Sequence, residues 1–257
     1  MANEKVLEGW IEGRFTADGR TKQTFRKGTG PGVVVVHEIP GITPEVVRFA
    51  DDVASAGFTV VMPVLCGTPG RPVSNWYALG TVTRVCISRE FTTWARNSTS
   101  PVISWLRALG RSLHEKCGGP GIGAVGMCFS GGFALGMMLD DRMIAPVLSQ
   151  PSLPFAIGRS RGADLNLSPG DLARVKERAA GGCDVIGLRY RDDKLVGTRF
   201  ESLRAELGER FLAVELPSPS SRAHSVLTNE RDDPSVARVI AFLAEKLAAT
   251  TWRSPSE

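Results

Sequence analysis

Four consecutive valines, Val33 to Val36, constrain the fold of this chain more than any other feature. Successive side chains of a strand point to opposite faces, so a run without a polar residue is apolar on both faces. Such a strand is normally buried in a parallel sheet that helices cover on each side. Further apolar segments predict strands at 58–64, 122–127, 143–149, 184–190 and 211–216.

Segments with helical character lie between these strands, and four of them begin with the same chemistry. A side-chain oxygen that can cap a free N–H precedes a proline, which has no N–H to satisfy at the first helical position. The four pairs are Thr43-Pro44, Ser100-Pro101, Ser168-Pro169 and Asp233-Pro234. Strands alternating with helices predict an α/β fold, with a mostly parallel sheet and helices on both faces.

The length of 257 residues fits a single α/β domain spanning residues 1–257. A hairpin at about residues 5–27 is expected to precede the first buried strand, and a tail at about 250–257 is expected to fray. Two long connections, at about 65–99 and 151–167, are expected to be loops that wall a site.

Composition and charge exclude several classes of protein. Hydrophobic residues make up 42% and charged residues 23% of the chain, as in ordinary globular proteins. A formal net charge of +4 is too small to indicate a nucleic-acid partner. The chain has no apolar run long enough to span a membrane, no apolar signal-peptide core at its start, and five scattered cysteines. We therefore expect a cytoplasmic protein with free thiols, as a monomer or small homo-oligomer.

The segment 123–132 carries the most chemical information. It reads as a buried strand, a sharp turn and a helix beginning near Ser130, which is the setting of a nucleophile elbow. Cys128 occupies the nucleophile position, and the residues two before and two after it, Gly126 and Ser130, are small as the turn requires. The helix N-terminus also favours a thiolate and an oxyanion. The alternative is that Cys128 is only a small core residue at a strand end.

A nucleophilic thiol needs a base and a group that orients the base. His224 lies in a polar loop between the last strand and the last helix, where an α/β-hydrolase keeps its base. His114 is expected at a solvated helix end, and His37 as a hydrogen-bonded core or rim residue. The acid should lie between nucleophile and base, which leaves Asp192 and Asp193; we favour Asp193 and expect Asp192 to be solvated.

The chain resembles the dienelactone hydrolase family, cysteine-nucleophile members of the α/β-hydrolase fold. The resemblance extends from about residue 28 to 247. The matching motifs are HEIPG (37–41), GMCFSGG (126–132), LRYRDDKLV (188–196) and AHS (223–225). It implies that Cys128 is the nucleophile, His224 the base and Asp193 the group that orients it.

The same resemblance implies three further site residues. The backbone N–H groups of Ile39 and Phe129 would form the oxyanion hole. Glu38 would contact the resting nucleophile and help to deliver its proton when substrate binds. From the residues alone, Glu38 is a carboxylate in apolar surroundings that needs a partner, either an arginine or polar groups of the site. Its alternative role is a structural ion pair.

Two positions depart from the family pattern. The best-studied members carry an arginine for the substrate carboxylate four residues after the catalytic histidine, where this chain has Thr228. Arg84 and Arg89 could supply a positive charge for substrate binding, or could be solvated or paired with Glu90. Ser130 stands where the family commonly has glycine, and is small enough to keep the elbow.

Together these observations predict a hydrolase of small lactones or esters that works through an acyl thioester on Cys128. No metal or organic cofactor is expected, because the Cys and His residues are not spaced as zinc ligands and no glycine-rich dinucleotide motif follows the first buried strand. One alternative is a non-catalytic protein of this fold that binds a small ligand or a partner. A redox role for Cys128 is a further alternative, without a resolving cysteine nearby in sequence.

Overall fold

The valine run forms a central strand that is buried on both faces, as predicted. In the computed structural model, which describes residues 5–91 and 94–248, every residue of Gly32–Val36 is buried. Val34 and Val36 pack into one hydrophobic core. Val33 and Val35 pack into a second core on the opposite face. The sheet therefore separates two apolar layers.

The described residues form one eight-stranded sheet. Its strands are β1 (Ile11–Ala17), β2 (Arg20–Lys27), β3 (Gly32–Val36), β4 (Thr59–Pro63), β5 (Ile122–Met127), β6 (Met143–Ser149), β7 (Val185–Tyr190) and β8 (Phe211–Leu216). Their spatial order is β1-β2-β4-β3-β5-β6-β7-β8. Strands β3 to β8 are parallel, and the hairpin β1–β2 adds an antiparallel edge. The predicted mostly parallel sheet is thus confirmed, and the C-terminal ends of β3 to β8 meet at one edge.

Helices cover both faces of the sheet. They are α1 (Pro44–Ser55), α2 (Asn75–Ile87), α3 (Val102–Cys117), α4 (Gly131–Met137), α5 (Arg159–Gly162), α6 (Pro169–Ala180), α7 (Arg199–Leu207) and α8 (Asp233–Leu247). Helices α1 and α8 supply apolar side chains to the core around Val33. Helices α3, α4, α6 and α7 supply them to the core around Val34. This is the predicted layered α/β architecture.

Two of the four predicted helix caps form as expected. The Thr43 hydroxyl accepts the N–H of Val46 at 3.4 Å, and the Ser168 hydroxyl accepts that of Asp171 at 3.2 Å. In each case a proline follows the cap at the start of the helix.

The other two caps differ from the prediction. Helix α8 is capped by Asp232, which accepts the N–H of Ser235 at 2.9 Å, so Asp233 is already helical. No side chain caps α3. The Ser100 hydroxyl lies instead 2.7 Å from the Phe91 carbonyl, because the chain before α3 folds back onto that residue.

The two long connections are not wholly loop, which corrects the prediction for 65–99 and 151–167. The first contains α2 and the second contains the short α5. Helix α2 has a weak apolar pattern: Trp76 and Leu79 are exposed, at 84% and 58%. The predicted fraying tail lies outside the described residues. In the part of the chain that is described, no helix is long and apolar enough to cross a membrane.

Candidate active site

Cys128 sits in a turn that only a glycine two residues earlier permits. It follows β5 directly, begins a short 3-10 turn that leads into α4, and has a φ of 56°. A Cβ on Gly126 would lie 2.2 Å from the carbonyl oxygen of Ser130. The tight backbone explains the small residue, and the strained φ at the nucleophile position is typical of an elbow. Cys128 as a whole is half-buried.

Ser130 is small enough for the turn, and its hydroxyl also forms hydrogen bonds that hold the turn in place. Its fully buried hydroxyl accepts the N–H of Met127 at 2.9 Å and lies 2.9 Å from the carbonyl oxygen of Val36 and 3.1 Å from that of His37. The elbow is therefore fastened to the end of β3. Sequence reasoning missed this role, because a serine at this position shows no pattern beyond its volume.

Asp193 and His224 are paired. Asp193 Oδ2 lies 2.6 Å from His224 Nδ1, and Oδ1 accepts the N–H of Leu195 at 3.0 Å. The Asp193 side chain is only 3% exposed, whereas its neighbour Asp192 is exposed. A carboxylate bonded to Nδ1–H fixes the tautomer of the imidazole, and leaves Nε2 free to act on another group.

His224 Nε2 is the ring nitrogen that Asp193 leaves unused. It is buried and has no hydrogen bond of normal geometry with any described residue. Burial lowers the pKa of His224, but the Cys128 sulfur and the Asp193 carboxylate outweigh it and raise the pKa well above its ordinary value. Since Nδ1 is engaged with Asp193, Nε2 is the atom available to the sulfur. Catalytic contacts of this kind are often long before substrate binds.

The Glu38 carboxylate is surrounded by neutral hydrogen-bond donors. It is 2% exposed, and its Oε2 accepts hydrogen bonds from Ser225 Oγ at 2.8 Å and Gln150 Nε2 at 3.3 Å. Its Oε1 accepts the hydroxyl of Thr228. Burial raises the pKa of Glu38, against the effect of the hydroxyl donors and of His224. Of the two kinds of partner that the sequence allowed, the structure supplies polar groups of the site, and Cys128 is not among them.

A serine that sequence reasoning did not identify contacts Cys128. Ser152 Oγ lies 3.3 Å from Cys128 Sγ, and Ser152 N–H donates to the Cys128 carbonyl at 3.0 Å. The only signal in the sequence was its place shortly after the apolar segment that forms β6. A loop serine carries no periodicity, so its contact depends on strand pairing that the sequence does not show.

The predicted oxyanion donors flank the site. Ile39 follows Glu38 in the loop after β3, and Phe129 follows Cys128 in the elbow. The Phe129 ring is fully buried and packs against His37, with ring centroids 5.9 Å apart. That packing holds the backbone of the elbow beside the loop after β3. The N–H groups of Ile39 and Phe129 remain a predicted oxyanion hole.

Arg84 and Arg89 are both exposed, and neither pairs with Glu90. Glu90 instead forms ion pairs with Arg20 at 3.1 Å and Lys22 at 2.9 Å. Arg84 lies on α2 and lines a cleft of about 270 Å³. The structure brings neither arginine into contact with the groups around Cys128 in the described residues.

The other histidines are not suited to the role of base. His37 is fully buried: its Nε2 accepts the N–H of Leu65 at 3.0 Å, and its Nδ1–H donates to the carbonyl of Glu38 at 2.8 Å. Burial lowers the pKa of His37 to about 4, so it stays neutral near pH 7. His114 Nε2 lies 3.0 Å from the Gly119 carbonyl at the half-exposed end of α3.

Burial disfavours the thiolate form of two other cysteines, Cys66 and Cys183. Burial, and then the nearby Cys128, raise the pKa of Cys66 to about 12. Burial also raises the pKa of Cys183. Thiolates are the reactive form, so these thiols are weak nucleophiles. Across the described residues, no three His, Cys, Asp or Glu side chains gather in a group that could hold a metal ion.

The sequence and the fold each resemble known proteins. Residues 20–149, just over half of the chain, match the model of the dienelactone hydrolase family. No curated protein matches the sequence.

Similar solved structures include a dienelactone hydrolase-like promiscuous phosphotriesterase from metagenomic libraries, with 16% identity and a TM-score of 0.62 over 93% of this chain and 98% of that chain. A cold-adapted esterase from an Arctic intertidal metagenomic library has 16% identity and a TM-score of 0.56, over 92% of both chains. A thioesterase domain from the curacin biosynthetic pathway has 12% identity and a TM-score of 0.57, over 92% of this chain and 99% of that domain. At these identities the likeness establishes a shared fold.

Proposed function

This chain belongs to the dienelactone hydrolase family, and on that basis we propose that it hydrolyses small lactones or esters through an acyl thioester on Cys128. The observation that carries the proposal is the arrangement of His224. Its Nδ1 is held by Asp193 at 2.6 Å, its Nε2 is buried without a hydrogen-bond partner among the described residues, and Cys128 is one of the groups that raise its pKa. This is the geometry that an activated thiol requires.

In the proposed mechanism His224 takes the proton of Cys128, and the thiolate attacks the ester carbonyl carbon. The carbonyl oxygen becomes an oxyanion, which the N–H groups of Ile39 and Phe129 stabilise; one such donor contributes on the order of 10²–10³ in rate. His224 returns its proton to the leaving oxygen as the carbon–oxygen bond breaks. The products of this half-reaction are an alcohol and an acyl thioester.

Water completes the cycle. His224 takes a proton from a water molecule, whose oxygen attacks the thioester carbonyl. The carbon–sulfur bond breaks, the acid leaves, and the sulfur departs as a thiolate, to which His224 then returns its proton. A thiolate is a good leaving group, which suits a cysteine to this step. For a lactone substrate the alcohol and the acid remain one molecule, so the product is a hydroxy acid.

The surroundings of Glu38 favour an uncharged substrate. Its three partners, Gln150, Ser225 and Thr228, are all neutral, and the exposed Arg84 and Arg89 do not contact it. Among the described residues no arginine or lysine contacts Glu38 or the Cys128 sulfur, and His224 is engaged with Asp193. A substrate carboxylate would therefore lose its water without a cation of its own.

Hydrolysis of a panel of nitrophenyl esters and small lactones tests the proposal. The wild-type protein should turn over some of them, and Cys128→Ala and His224→Gln should reduce the rate to the level without enzyme. Cys117→Ala, a half-buried cysteine at the end of α3, is the matched control and should retain full activity. Wild-type turnover by Cys128→Ala would refute the proposed nucleophile.

A further inference from the structure

We propose that Ser152 is a positioning residue whose hydroxyl donates a hydrogen bond to the Cys128 sulfur and stabilises that sulfur as a thiolate. The inference deepens the proposed function and rests on it for its catalytic meaning. The contact itself is direct: Oγ of Ser152 lies 3.3 Å from Sγ of Cys128, a normal distance for a hydroxyl donating to sulfur.

The fold fixes the position of the Ser152 hydroxyl. Strands β5 and β6 are parallel neighbours, with Met127 opposite Ser149, so the residues after each strand end lie side by side. The Ser152 N–H donates to the Cys128 carbonyl at 3.0 Å, which fixes the backbone of one loop to the other. Ser152 is 2% exposed, and the sulfur is its hydroxyl's partner among the described residues.

Two further contacts hold the loop of Ser152 against the elbow. A Cβ on Gly131 would lie 2.6 Å from the Cα of Pro151, so the two backbones pack in direct contact. On the other side of Ser152, the buried Arg199 donates to the carbonyls of Leu153, at 3.2 Å, and Pro154. The chain is thus clamped immediately before and after Ser152.

A hydroxyl in this place acts on the charge of the sulfur. A hydrogen bond to the charged form of a group favours that form, and an O–H donor is stronger toward a thiolate than toward a thiol. The proton that leaves Cys128 goes to Nε2 of His224, which gives a thiolate flanked by an imidazolium and by the Ser152 hydroxyl. The Ser152 hydroxyl also donates to the Cys128 sulfur when the sulfur leaves the acyl group, so this hydrogen bond assists both half-reactions.

The test is a titration of the Cys128 thiolate by its ultraviolet absorbance, with no substrate present. His224 and Cys66 are the titratable groups that interact with the sulfur in the described residues, and both remain in the variant. Ser152→Ala should raise the midpoint of thiolate formation by about one pH unit, and below that midpoint should slow alkylation by iodoacetamide about tenfold. Ser152→Thr, which keeps a hydroxyl, should restore most of the shift.

Ser202→Ala is the matched control, because that hydroxyl donates to the Ala163 carbonyl at 2.8 Å and not to the nucleophile. Its midpoint should equal that of the wild type. If Ser152→Ala does not fold, Ser152→Gly removes the same hydroxyl with a smaller side chain. A folded hydroxyl-free variant with a midpoint shift under about 0.2 unit would overturn the inference.

The pH profile of hydrolysis separates this inference from the proposed function. In Ser152→Ala, kcat/KM should fall about tenfold below the wild-type midpoint and converge on the wild-type value at high pH, where both thiols are ionised. A purely structural role would lower the rate equally at every pH. If the wild type hydrolyses no ester but the thiolate midpoint still shifts, the proposed function fails and the hydrogen bond stands.

Discussion

The hydroxyl of Thr228 donates to the carboxylate of Glu38, which is 2% exposed. These residues come from opposite ends of the chain, the loop after β3 and the loop before α8. Thr228 stands where the best-studied family members carry an arginine. In this chain a neutral hydroxyl occupies that position, and uncharged donors satisfy the Glu38 carboxylate.

The first prediction concerns substrate charge. A neutral nitrophenyl butyrate should be hydrolysed at least about tenfold more efficiently, in kcat/KM, than a nitrophenyl ester ending in a carboxylate, because no arginine or lysine among the described residues contacts Cys128 or Glu38 to replace the water of that carboxylate. Steady-state kinetics at constant ionic strength measures the ratio. A preference for the charged ester that Arg84→Ala abolishes would contradict the prediction and identify Arg84 as a substrate ligand.

A second prediction follows from the elbow. Gly126→Ala should destabilise the protein by more than about 2 kcal/mol and abolish hydrolysis, because its Cβ would lie 2.2 Å from the Ser130 carbonyl oxygen. Gly170→Ala, near the start of α6 with no atom within 4 Å of the added Cβ, should be neutral or slightly stabilising. Chemical denaturation compares the two variants. Equal stabilities would show that the elbow relaxes to admit a methyl group.

A third prediction concerns Arg199, which is 1% exposed and donates only to backbone carbonyls. Those carbonyls belong to the connection after β6 and to the turn after β7, so the guanidinium fastens the loop of Ser152 to that of Asp193. Arg199→Ala leaves several buried acceptors unsatisfied and should cost at least about 3 kcal/mol of unfolding free energy.

The control for Arg199 is Arg238→Ala on the exposed face of α8, which should change stability by less than about 0.5 kcal/mol. Urea denaturation of both variants provides the comparison. An Arg199→Ala protein as stable as the Arg238→Ala protein would show that water or a rearranged loop satisfies those carbonyls.

The fourth prediction is a pH dependence from His37, whose pKa burial lowers to about 4. The unfolded chain has the ordinary value of about 6.5, so between these values the unfolded state binds more protons. The neutral histidine thus contributes stability above about pH 6.5, and that contribution is lost as the pH falls toward 4. Stability should decrease by about 2 kcal/mol from pH 7 to pH 5 through this residue.

Comparison with His37→Gln isolates the effect, since the loss of stability between pH 7 and pH 5 should shrink by that amount in the variant. His224 acts at higher pH: its pKa is raised, so its contribution is present below the unfolded value and lost as the pH rises through the folded value. An undiminished acid loss in folded His37→Gln would contradict the assignment.

Strong local patterns made much of the fold predictable. The strands at 122–127, 143–149 and 211–216 have the predicted bounds. The first two are runs of almost wholly buried apolar residues, whereas in the third only Phe211 and Val214 are buried. Helix α2 was not predicted, because exposed side chains such as Trp76 interrupt its apolar face. Amphipathic pattern is the main signal for a helix, and here tertiary context supplies what the pattern lacks.

The sequence allowed candidate site residues to be proposed only where a residue sits in a motif. Cys128 is identified by the small residues around it, and His224 by the loop that carries it. Ser152 and Gln150 lie in a loop without periodicity, and their contacts with Cys128 and Glu38 arise from the pairing of β6 with β5. Long-range pairing of this kind leaves no local mark in the sequence.

Mass spectrometry of the protein quenched during turnover of an activated ester tests the central claim most directly. The account predicts an added acyl mass on the peptide that carries Cys128, absent from Cys128→Ala and longer-lived in His224→Gln, where no base activates the water. An acyl group on another residue, or full ester turnover by Cys128→Ala, would contradict the account.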